Sequence, residues 1–203
     1  GHSGVRERLD LRLPAPAADP HDVSTLAELI ASSSRVVLWL GGGVLAADAE
    51  EDVRRLAHRL GSPVITTYAA RGLLAGDPLL VNAPVHEPEV SQVVADADLL
   101  LILGSSFDGM NTKNWRIPLP ERRAALTLGT MIQQTVDLDC LISADVHEGL
   151  TALEETLDDI GLTPRSPWTD VSGIRGAIVD RLLLDPRTET AMRWVQQVDA
   201  GWA

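Results

Sequence analysis

With 203 residues the chain is long enough for one full domain with extensions, or for two small ones, and it can bury a sizeable core. Its 29 acidic and 17 basic side chains give a formal charge of −12, which argues against nucleic acid and against an anionic membrane surface as main partners, because both attract clustered Lys and Arg. The composition, 45% hydrophobic and 23% charged, is that of a soluble globular protein, and a single cysteine, Cys140, excludes an internal disulfide and a cysteine-built zinc site, so the cytoplasm is the expected compartment.

Gly1, His2 and Ser3 read as a cleavage scar, so the chain reads as a piece cut from a longer one. Pro14, Pro16 and Pro20 predict an extended linker up to residue 20. A helix follows, capped by Asp22 or Ser24, with Leu26, Leu29 and Ile30 on one face and Ser32 to Ser34 at its end. Arg35 to Leu40 is an apolar run of strand length that stops at Gly41-Gly42-Gly43. Asp48 to Leu60 reads as a helix with Gly61 as its C-cap, and Pro63 to Thr67 as a second strand. Residues 69–87 are rich in Gly, Pro and Asn and read mostly as loop, before a short helix from Glu89 to Ala95. Asp98 to Leu103 is a third buried strand. A loop from Asn111 to Arg123 leads to a fourth strand at Ala124 to Leu128 and a fifth at Asp139 to Ile142. Asp145, with Glu148 three residues on, begins a helix that runs to about Asp159. Helical stretches near Val171 to Leu184 and Arg187 to Val198 have no strand after them and read as linker helices or the start of another domain. Strands alternating with helices predict an α/β fold, a three-layer, doubly wound parallel sheet over residues 21–160, with a lead-in over 1–20 and a helical tail over 161–203.

In an open parallel sheet ligands bind beyond the carboxyl ends of the strands. Here those ends are Gly41 to Gly43, Thr67-Tyr68, Gly104 to Asp108, Gly129-Thr130 and Ser143 to Asp145. Gly41, Gly43 and Ala46 fit G-x-G-x-x-A between a strand and a helix, the pattern that lets backbone approach a phosphate. The second strand ends in Thr66 and Thr67 where that fingerprint places a ribose-binding acid, so a nicotinamide-dependent dehydrogenase is the weakest reading, and a glycine-rich turn that packs helix against strand is favoured over a phosphate loop. Among the histidines only His86, followed by Glu87, lies in a loop that could face a ligand; a lone loop histidine is more often a surface or interface residue. Asp145 reads as a helix cap, and Asp108 as a turn residue or a ligand group. Trp39 reads as core, Trp115 as a plug at an interface, and Trp168, Trp194 and Trp202 as surface meant to pack on something else. Cys140 reads as buried and inert.

Four segments in order, Val36 to Gly43, Leu56 to Thr67, Arg71-Gly72 with Gly76-Asp77-Pro78, and Ala95 to Gly104, resemble the central domain of the thiamine-diphosphate-dependent enzymes such as acetolactate synthase, benzoylformate decarboxylase and oxalyl-CoA decarboxylase. The resemblance covers about Asp19 to Asp159. It implies a Rossmann-like parallel sheet of about six strands that organises the subunit and in some members binds FAD or ADP. It also implies that thiamine diphosphate and magnesium are held by missing pyrimidine-binding and diphosphate-binding domains, that the parent enzyme is a lyase or transferase acting on 2-keto acids or related carbonyls, that it is a dimer or tetramer, and that this segment carries no catalytic residue. Gly104-Ser105-Ser106-Phe107-Asp108 matches the family's G-x-x-F-D pattern, which makes Gly41, Gly42, Gly43, Ser105, Phe107 and Asp108 the candidate nucleotide-binding residues. Ala83 to Pro88 and Thr127 to Thr130 depart from the loops of FAD-binding members; this argues against FAD and leaves ADP or a CoA-type ligand open. The competing class is a stand-alone ADP- or FAD-binding regulatory module.

Overall fold

Val36–Leu40 (β1) and Leu99–Leu103 (β3) are apolar at every position and fully buried in the computed structural model, which describes residues 16–188 and 190. A strand that is apolar on both faces is stable only between two covering layers. With Val64–Thr66 (β2), Arg122–Leu126 (β4) and Cys140–Ile142 (β5) they form an all-parallel sheet of order β2-β1-β3-β4-β5. One parallel bridge, Val64 to Leu80, continues the sheet beyond β2, so the sixth strand implied by the resemblance is a single residue pair here. The order reverses between β1 and β3, which makes that position the switch point of the sheet.

The sequence reading starts β4 two residues late. Arg122 and Arg123 belong to the strand because they pair with Leu99 and Leu100 of β3, and their guanidinium groups donate to the Asp98 carbonyl at 3.3 Å and the Asp137 carbonyl at 2.9 Å. Thr127 and Leu128 lie beyond it.

Pro20–Ala31 (α1), Glu50–Leu60 (α3) and Val146–Asp159 (α5) cover one face of the sheet through the Leu26, Leu56 and Leu153 side of the core. Asp19, rather than Asp22 or Ser24, caps α1: its carboxylate accepts the His21 amide at 2.8 Å, and Pro20 takes the first helical position, where no backbone donor is needed. Asp145 caps α5 as its position predicts, accepting the His147 amide at 2.9 Å. Gly42–Ala46 (α2) is a short helix in what the sequence reads as a glycine loop.

Pro88–Asp96 (α4) and Val171–Leu183 (α6) cover the other face. Val171 and Ile178 of α6 are buried, and Ile174 and Trp168 pack beside them. The Trp168 indole N–H donates to the Val36 carbonyl at 2.9 Å, and Arg175 donates to the Leu80 carbonyl at 3.2 Å. Arg181 is gripped by Glu89 at 2.8 Å and by Glu87. Trp168 is therefore part of this domain's own packing and not surface awaiting a partner. Trp194, Trp202, most of the helical stretch from Arg187 to Val198 and the lead-in up to residue 15 lie outside the described residues.

Candidate functional site

The loops after β1 and β3 meet backbone to backbone. The Gly41 amide donates to the Leu103 carbonyl and the Gly43 amide to the Gly104 carbonyl, both at 2.8 Å. A Cβ at Gly41 would lie 2.3 Å from the Gly104 carbonyl oxygen, and one at Gly43 would lie 2.7 Å from Gly104 Cα. Gly104 itself has φ +59, and a Cβ there would lie 2.6 Å from the Val44 nitrogen. The G-x-G glycines thus let one loop close on the other, and the Gly43 amide is used in that closure. Gly42 faces Ala69, whose Cβ would be 3.3 Å from an added Cβ.

The β3 loop then fills the crevice it borders. Ser105 Oγ accepts the Phe107 amide at 3.1 Å and turns the chain inward. Phe107 is fully buried with a left-handed φ of 53°, and its ring meets Trp39 edge-on, centroids 5.0 Å apart at 61°. The Asp108 carboxylate accepts the Asn111 amide at 3.1 Å and the Asn111 side-chain N–H at 3.0 Å, so it serves the turn. The Trp115 indole N–H donates to the Phe107 carbonyl at 3.2 Å, which holds a half-exposed ring over the plugged crevice. Of the six candidate residues, the structure brings Gly41, Gly43, Ser105 and Phe107 together at the switch point. It places Gly42 toward Ala69 and Asp108 in the adjoining turn.

At the end of β2, a cavity of about 10 Å³ remains between Trp39, Tyr68, Arg71, His86 and Asn111. Tyr68 is fixed by its amide, which donates to Asn111 Oδ1 at 3.1 Å, and the Arg71 guanidinium stacks 5.1 Å from the Tyr68 ring centroid. Trp39 Nε1, His86 Nδ1 and the neighbouring Thr67 Oγ1 are buried and have no hydrogen-bond partner among the described residues. The sequence marks His86 and the Tyr68 loop as able to face a ligand. It gives no sign that the indole of Trp39, inside a continuous apolar run, leaves its N–H unpaired.

Two buried carboxylates are clasped on α3. Asp52 bonds His147 Nδ1 at 2.6 Å and also Arg55; Asp77 bonds Arg54 at 2.9 Å, His58 at 3.0 Å and the Leu79 amide at 2.9 Å. The Asp52 hydrogen bond holds His147 above its ordinary value. Burial alone would push Asp77 up, but the Leu79 amide, His58 and Arg54 outweigh it and hold the carboxyl below its usual range. The Cys140 thiol is pushed up to about 11 by burial, helped by Asp22 and Asp139, which fits an inert side chain. Among the described residues no group of three or more His, Cys, Asp or Glu side chains could hold a metal ion, and no helix is long and apolar enough to cross a membrane.

Residues 23–153 match the family described as thiamine pyrophosphate enzyme, central domain. The acetolactate synthase large subunit of Corynebacterium glutamicum is 37% identical over 106 residues, which are 50% of this chain and 17% of that protein. The 3D-(3,5/4)-trihydroxycyclohexane-1,2-dione hydrolase of Lacticaseibacillus casei is 26% identical over 154 residues, 74% of this chain and 23% of that one. The crystal structure of benzoylformate decarboxylase from Polynucleobacter necessarius superposes with a TM-score of 0.59 at 16% identity, covering 79% of this chain and 31% of that one. The chain thus spans about a fifth of the length of these curated relatives. Thiamine diphosphate does not fit the switch point between β1 and β3, because the fully buried Phe107 ring occupies it.

Proposed function

This chain belongs to the thiamine pyrophosphate enzyme central-domain family, and from that membership we infer that it serves as the scaffold of a larger thiamine-diphosphate-dependent lyase, decarboxylase or synthase acting on 2-keto acids or related carbonyls. In this reading thiamine diphosphate and magnesium are held by pyrimidine-binding and diphosphate-binding domains outside these residues. This domain fixes the spacing of those domains in a cytoplasmic homo-oligomer.

The observation that carries the reading is the closed switch point. Gly41, Gly43 and Gly104 lock two loops together, and Phe107 fills the crevice in which an open α/β sheet ordinarily binds its ligand. The same closure weighs against a nucleotide at the switch point, the place a stand-alone ADP- or FAD-binding module would use. Ser105 and Asp108 then act as turn-forming residues that present Phe107 to Trp39.

The reading is tested by assaying the purified chain for carbon dioxide release from pyruvate and from benzoylformate, with thiamine diphosphate and magnesium supplied. No release above the protein-free blank is expected. Turnover that saturates with thiamine diphosphate would overturn it.

A further inference from the structure

The geometry points to a small-anion site in the cavity at the end of β2, one that takes a halide or the head of a small carboxylate such as formate, with the Trp39 indole N–H and the Arg71 guanidinium as its donors. This goes beyond the scaffold reading and does not depend on it.

Three observations carry it. Trp39 is 1% exposed, lines the cavity, and has an Nε1 with no partner among the described residues. An indole nitrogen can only donate, so what satisfies it must be an acceptor. A buried donor left unpaired costs free energy, and native structures rarely tolerate one. The second observation is charge. In a chain of formal charge −12 the cavity is lined by Arg71 and His86 and by no Asp or Glu. Arg71 makes no ion pair among the described residues and is held over Tyr68 beside the cavity. His86 adds a second buried ring nitrogen, Nδ1, without a partner. Thirdly, size sets the ligand class. A space of about 10 Å³ admits one ligand atom, a halide or a single carboxylate oxygen, and excludes a ring. The Asn111 side chain cannot compete as a donor, since its N–H group is given to Asp108 and its oxygen to the Tyr68 amide.

The test is a thermal titration of the full 203-residue chain with sodium bromide and with sodium formate, run beside Arg71→Gln, together with anomalous diffraction from a bromide-soaked crystal. Arg71 is exposed, so that variant is expected to fold. Trp39→Phe, which keeps an aromatic ring but removes the donor, is a second comparison. The expected result is a saturable rise in Tm of the wild type, about 3–6 °C at tenfold the dissociation constant, lost in Arg71→Gln. A bromide peak is expected within hydrogen-bond reach of Trp39 Nε1. Equal, non-saturating responses of wild type and Arg71→Gln, or a cavity holding water and no bromide, would overturn the proposal.

Discussion

Phe107 combines two features that rarely coincide: a bulky side chain at a left-handed φ of 53° and complete burial. Its backbone cost is of order 1–2 kcal/mol, and burial of the ring against Trp39 offsets it. Phe107→Ala is expected to cost about 3–5 kcal/mol in a urea unfolding curve, well above an ordinary surface change. Gly43→Ala sets a Cβ against the backbone of Gly104, where no side chain can turn aside, and should cost about 1–3 kcal/mol; a cost within 0.5 kcal/mol would mean that the loops separate freely. At this scale the sequence was only half legible. The glycine spacing identifies the tight turn and Asp145 the cap, while Asp108 reads equally as a turn residue or a ligand group. The inward direction of Phe107 depends on one backbone angle set by Ser105, and an F-D dipeptide does not reveal it. Nor could the unpaired indole of Trp39 be read, because a hydrogen-bond deficit is a property of the neighbours.

Helix α3 is tied down at both ends by the Asp52 and Asp77 clasps, and these have opposite pH signatures. His147 takes up its proton more readily in the folded chain, so its contribution is complete below the unfolded value of about 6.5 and is lost as pH rises through the higher folded value. Asp77 behaves in the opposite sense: its contribution is present above the unfolded carboxyl value and is lost as acid lowers the pH through the depressed folded value. Denaturant midpoints measured from pH 6 to 8 should therefore fall for the wild type and stay flatter for His147→Gln. Parallel profiles would remove His147 from the account.

Helix α6 was legible as a helix but not as part of this domain. Its inward residues, Val171, Ile174 and Ile178, follow helical spacing, yet Leu182, Leu183 and Leu184 blur the pattern by placing apolar side chains on the outward face as well. Its docking also depends on long-range bonds, from Trp168 to Val36 and Arg175 to Leu80, which local pattern does not encode. Ile178→Ala should cost about 2–5 kcal/mol if α6 is integral to the fold, and almost nothing if it is a loosely attached linker.

At the scale of the molecule, the alternation of apolar runs with amphipathic stretches placed all five strands and the layers around them, because strands buried on both faces leave little choice of architecture. The sixth strand position was harder to see, since at Leu80 it is one bridge long. Membership of the central-domain family and the closure of the switch point both support the proposal that this segment organises an enzyme whose cofactor lies elsewhere. The most direct measurement is a calorimetric titration of the chain with thiamine diphosphate and magnesium, repeated with ADP and with FAD, each paired with a thermal scan. The account predicts no saturable heat and no rise in Tm with any of the three. Saturable binding of thiamine diphosphate, or of either nucleotide, would contradict it.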